Sequence, residues 1–326
     1  MCSRRLTSIL AVAALLGAAR PAEPDAALVA SLRVLAAKDL RVATVAYHLQ
    51  AASLPICTVR TALPGMIVQD ASQYRADVRP AAARALGLAD LPAVTAVVAG
   101  GPADTAGIHV ADALVAVNGV AMTDILPGST TRAADGDRFT ALVARLADAF
   151  GHGPVTLTMR RDGRIRTVVL RGTPACASLV QLDLAADRNA GADGHIVTVA
   201  QGLLDFVRND DELALVVGHE LAHNMLGHRD VIVADGGRAL GRRTEREADH
   251  WGLYLCAWAG YDVDAAAPFW RRMARAGKLR SLFPDGLHPA YADRIRNLSR
   301  EAASIRARRA AGLPLDIAFA DARHDA

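Results

Sequence analysis

One helical stretch, Asn209 to Gly227, constrains this 326-residue chain more than any other, because its apolar run carries two histidines four residues apart. Asn209 or Asp210 can cap the helix, and Asp210, Asp211 and Glu212 place acids in the first turn, where they suit its dipole. Gly227 supplies a left-handed stop. Inside the run, His219-Glu220-Leu221-Ala222-His223 sends both imidazoles from one helix face. Two such rings can hold one metal ion through their nitrogens. Glu220 is offset by about 100° from His219. It cannot join the same metal but can reach a water bound to it, the position of a general base.

A third ligand is available downstream. Thr244-Glu245-Arg246-Glu247-Ala248-Asp249 opens a second helical pattern that runs to Trp258. Glu245 can complete a His-His-Glu set and leave a fourth position for water or substrate. Asp249, on the same face, can accept the other ring N–H of a ligand histidine. Glu247 points about 160° away from Glu245, which disfavours it as the ligand. A three-histidine site would need a histidine ten residues after His219, whereas His228 follows it by nine. His228 is therefore expected at the surface or behind a ligand.

Composition narrows the class. The chain is 52% hydrophobic, but 68 of its residues are alanine, so the figure overstates its core-forming power. No apolar run reaches the roughly 18 residues a membrane-spanning helix needs. Arg4, Arg5 and Arg20 account for the net charge of +3, because the remaining 34 basic residues balance 34 acids. A neutral body gives no electrostatic case for nucleic acid.

Residues 1–22 read as a secretory signal: Arg4-Arg5, an apolar stretch from Leu6 to Ala19, then small residues. The alternative is an uncleaved membrane anchor. Export permits a disulfide. Of Cys57, Cys176 and Cys256, the first two sit near prolines in loop-like contexts, so they are the expected pair, with Cys256 a buried thiol.

Between Leu86 and Gly172 the pattern becomes strand-like, with turn dipeptides at Asn118-Gly119 and Asp162-Gly163. Gly101-Pro102-Ala103, Ala106-Gly107, Asp112 and Val117-Asn118-Gly119 resemble a bacterial PDZ domain. The resemblance implies a groove that takes an extended peptide by strand addition. It also implies a loop whose backbone N–H groups cradle a terminal carboxylate, with Leu86-Gly87-Leu88 the nearest match.

His219-Glu220-Leu221-Ala222-His223, then Glu245-x-Glu247-Ala248-Asp249 with Gly252, then His288-Pro289 followed by Arg294, resemble metallopeptidase family 48. That group includes the HtpX-, Oma1- and BepA-type proteases and the CAAX prenyl endopeptidases. The resemblance covers about residues 180–305. It implies a gluzincin domain with one Zn2+, His219, His223 and Glu245 as ligands, Glu220 as base, and His288 and Arg294 near the oxyanion.

The expected architecture is α+β: a mostly helical gluzincin domain beside a small β-rich PDZ-like domain. Its expected divisions are a signal at 1–22, a helical segment and linker at 23–85, the PDZ-like unit at 86–173, the peptidase unit at 174–312 and a loose tail at 313–326. The expected function is that of an exported, periplasmic zinc endopeptidase in envelope quality control, acting on peptides or unfolded proteins. Peripheral membrane association and oligomeric state stay open. The alternative is a chaperone-like or substrate-binding protein with a closed or inactive zinc site.

Overall fold

The computed structural model describes residues 25–126, 134, 136–234, 241–276 and 291–315. The expected signal, His288 and most of the expected tail lie outside them. The chain opens on helix α1 (Ala26–Ala52), capped by the Asp25 side chain, which accepts from the Ala27 N–H. At 27 residues it is about 40 Å long. That length lets it serve two cores. Val29 and Leu32 pack with helix α2 (Arg79–Leu86), while Val42, Val45, Ala46 and Leu49 pack in the core around the histidine-bearing helix.

Two short strands, β1 (Arg60–Leu63) and β2 (Met66–Gln69), precede α2. After it come β3 (Ala93–Val97), the one-turn helix α3 (Pro102–Thr105), β4 (Ala113–Val117), β5 (Val120–Ala121) and the one-turn helix α4 (Met122–Ile125). Helix α5 (Asp137–Gly151) leads into β6 (Val155–Arg161) and β7 (Arg164–Leu170). The main sheet runs β2-β3-β4-β6-β7, all antiparallel, with β5 paired to β4. Asn118-Gly119 and Asp162-Gly163 have positive φ at both positions, the geometry of tight hairpin turns. Val94, Leu114, Val117, Leu142, Leu157 and Met159 fill this unit's core.

The sheet begins at Met66, ahead of the 86–173 unit expected from sequence, and Leu86-Gly87-Leu88, the expected peptide loop, precede its second strand. The strand that follows them, β3, lies between β2 and β4 and has no free edge for a peptide. Leu86 and Leu88 are buried against α1 and α2, and Gly87 ends α2 in the left-handed conformation. A Cβ there would lie 2.7 Å from that of Ala111, so the tripeptide is a packed helix end. The free edges of the sheet belong to β2 and β7.

Strand β8 (Thr173–Cys176) pairs with β1, and Cys57 forms a disulfide with Cys176 beside this ladder. A second sheet follows, of β9 (Leu179–Asp183), β10 (Ala190–Ala192) and β11 (Ile196–Ala200). Its order is β10-β11-β9, with β9 parallel to β11 and on the outside. The rest is helical: α6 (Gln201–Leu204), α7 (Asp210–Met225), α8 (His228–Ala234), α9 (Gly241–Trp258), α10 (Ala266–Arg275) and α11 (Tyr291–Ala310). Trp251, Trp270 and the free thiol Cys256 are buried in this bundle. Among the described residues no helix is long and apolar enough to cross a membrane.

Candidate metal centre

Helix α7 is anchored before it reaches the histidines. The Asn209 side chain accepts from the Glu212 N–H, and Glu212 accepts in turn from the Arg208 N–H. The Glu212 carboxylate also forms a two-pronged pair with Arg272 of α10. Burial alone would raise this carboxyl, but Arg272 and the Arg208 N–H outweigh it and hold it below its ordinary 4.5.

Two glycines set how closely α7 meets α9. A Cβ on Gly218 would lie 2.9 Å from the Gly252 carbonyl oxygen, and one on Gly252 would lie 2.8 Å from the His219 nitrogen. Both obstacles are backbone and cannot swing aside. Only glycine lets the helices pack this tightly, and the packing carries Glu245 of α9 to the two histidines of α7.

The three side chains converge in a buried cluster. The His219 and His223 Nε2 atoms are 3.2 Å apart, and the Glu245 carboxylate oxygens lie 3.5 Å from His219 Nε2 and 3.4 Å from His223 Nε2. Donors about 2.0–2.1 Å from a tetrahedral zinc stand roughly 3.3 Å apart. The trio therefore matches a zinc site in donor type, number and spacing. Burial and Arg294 disfavour a charged His219, yet hydrogen bonds to Asp249 and Glu245 prevail and lift it to about 9, while burial lowers His223. A metal needs neutral imidazoles, so its uptake would release the His219 proton.

Each histidine is held from behind. His219 Nδ1 is 3.0 Å from Asp249 Oδ1. Arg294 of α11 donates to the same carboxylate through Nε at 2.8 Å, and its guanidinium lies over the Trp270 ring, 3.5 Å from the centroid. Arg294 thus stands against the Nδ1 side of His219, away from the metal-facing Nε2. That placement suits orienting His219 and Asp249 better than reaching an oxyanion. His223 Nδ1 is 3.0 Å from His228 Nδ1, and His228 Nε2 is 3.2 Å from Glu247 Oε2. His228 is buried, not at the surface. Its sequence signal was Gly227, whose φ of +64° turns the chain so that the next residue folds back on the helix it just left. Glu220 is half-buried on α7 and is not one of the three donors.

A cleft of about 1060 Å³ opens between the sheets, bordered by β2, the α5 side chains Phe139, Val143 and Phe150, and β9. It reaches Asn224 and Met225, the two residues after His223, but not the donor trio itself.

Residues 179–237, which hold β9 to β11, α6, α7 and α8, match the family model described as Peptidase family M48. The chain is 29% identical to metalloendopeptidase OMA1, mitochondrial, of Danio rerio over 34% of this chain and 33% of that protein. It is likewise 29% identical to the Bos taurus OMA1 over 32% of this chain and 28% of that one. The mitochondrial metalloendopeptidase OMA1 of Schizosaccharomyces pombe is also 29% identical, over 32% of this chain and 40% of its own length. The chain thus spans about a third of the length of these relatives. The paired histidines lie inside the matched segment and α9 brings Glu245 to them, so this part of the chain is similar to peptidase family M48.

Proposed function

We propose that this protein is a zinc-dependent endopeptidase that hydrolyses peptide bonds in extended or unfolded polypeptides. The observation that carries the reading is the buried trio of His219, His223 and Glu245, at the donor spacing of tetrahedral zinc. A zinc ion bound there supplies Lewis-acid polarisation of a scissile carbonyl and acidification of a water. Glu220 takes the proton of the attacking water and delivers it to the leaving amine. Asp249 fixes the His219 ring and its tautomer, and Arg294 holds Asp249 in place. His288 lies outside the described residues; an oxyanion-stabilising role for it rests on the family resemblance alone.

The cleft supports a polypeptide substrate. Both β2 and β9 are terminal strands of their sheets, so both offer backbone groups to an extended chain, and α5 supplies apolar side chains between them. In this reading the PDZ-like groove is formed by β2 and α5. The Cys57–Cys176 disulfide supports an oxidising compartment, consistent with export to a bacterial periplasm and a task in envelope quality control.

A peptide-holding protein with an inactive site is the second reading, favoured by a cleft that stops short of the trio. Chelator treatment separates the two. An endopeptidase loses cleavage of casein when zinc is stripped and regains it on adding zinc. A holding protein shows no cleavage in either state.

A further inference from the structure

We infer that His228 and Glu247 are positioning residues for the metal site, acting as a hydrogen-bonded relay that fixes the ring and tautomer of His223; the inference rests on the metal site proposed above. The proton positions follow from the heavy-atom geometry. His223 Nε2 faces His219 Nε2 at 3.2 Å and Glu245 Oε1 at 3.4 Å, so it is the nitrogen that meets a metal and must carry no proton there. The neutral ring then holds its proton on Nδ1. That N–H points at His228 Nδ1, 3.0 Å away, which must accept. His228 in turn holds its proton on Nε2 and donates to Glu247 Oε2 at 3.2 Å. Glu247 has a fixed orientation of its own, because Arg243 donates from Nε to its other oxygen at 2.9 Å.

Every link has one donor and one acceptor. No other assignment leaves the metal-facing nitrogen of His223 free. The two ligands are therefore supported differently: His219 meets a carboxylate directly, whereas His223 meets one through an intervening imidazole. His228 is 2% exposed, so water does not replace it freely when the ring is lost.

The test is zinc affinity of the full chain, measured by competition with a chromophoric chelator. Removing a partner behind a metal ligand typically weakens binding by about 10–100-fold. His228→Phe should fall in that range. His228→Gln, which can accept from His223 and donate to Glu247, should recover most of the loss. Glu247→Ala, at the partly buried outer end of the relay, should weaken zinc alone, yet add nothing in the His228→Phe background, because it acts only through His228. Zinc affinity within twofold of wild type in both His228→Phe and Glu247→Ala would overturn the relay, as would fully additive losses in the double variant. If His228→Phe does not fold, Glu247→Ala decides alone: a loss of zinc affinity of that order supports the relay, and affinity within twofold of wild type overturns it. A wild type that binds no zinc would instead remove the metal site itself, which keeps the two failures distinct.

Discussion

At the scale of single residues, the centre is built from groups whose partners leave them little freedom. His219 sits between Asp249 and the donor trio, and Arg294 is clamped between Asp249 and Trp270. Glu212 does the corresponding work at the start of α7, tying the helix to α10 through Arg272. Its carboxyl titrates below its ordinary 4.5, so the pair contributes stability that is complete above that value. The contribution is lost as pH falls through the depressed folded value. Glu212→Gln should therefore cost about 1.5–3 kcal/mol at neutral pH, the range for hydrogen bonds to charged groups. In urea unfolding, the gap between wild type and variant should narrow steadily below pH 4.5. A gap that stayed constant down to pH 2.5 would show that the pair contributes nothing through its charge.

At the scale of elements, the decisive contact is α7 against α9, and it depends on Gly218 and Gly252. Gly252→Ala sets a Cβ 2.8 Å from the His219 backbone nitrogen, so the helices must part. The expected cost is about 1–3 kcal/mol of stability, as for other overpacked positions. A larger effect on zinc binding should accompany it, because Glu245 and His219 separate as the helices do. Calorimetric unfolding with and without zinc measures both, and zinc stabilisation equal to that of wild type would rule out the spacing argument. Much of this element was readable in advance. The histidine spacing, the caps of α7 and the face shared by Glu245 and Asp249 all follow from a period of 3.6 residues. His228 and Glu247 did not follow from it. His228 lies past the helix break at Gly227, where periodicity no longer predicts direction. Glu247 works through His228, not through the metal-facing side of α9.

The same limit explains the β-rich unit. Its turns at Asn118-Gly119 and Asp162-Gly163 are legible because asparagine or aspartate followed by glycine suits the positive φ needed at both positions. Its first strand was not, since β2 is four residues long and is joined to β3 across α2. A sheet edge is a property of strand order, and local sequence does not encode that order. Leu86-Gly87-Leu88, the nearest match in the sequence to a peptide loop, stands at a helix end that the fold buries.

At the scale of the whole molecule, α1 packs into two cores, the Cys57–Cys176 bond lies beside the β1–β8 ladder, and the cleft runs between the β2–α5 face of the β-rich unit and β9. His219 and His223 sit on α7, whose end borders the cleft, and Glu245 reaches them from α9. Whether that design ends in hydrolysis depends on Glu220. The most direct measurement compares wild type with Glu220→Gln for zinc content and for cleavage of an unfolded protein. Removing a general base typically costs a factor of about 10²–10⁴. One zinc per chain is expected in both proteins, with a loss of turnover of that order in the variant. Equal cleavage by the two proteins at equal zinc content would show that Glu220 is not the base.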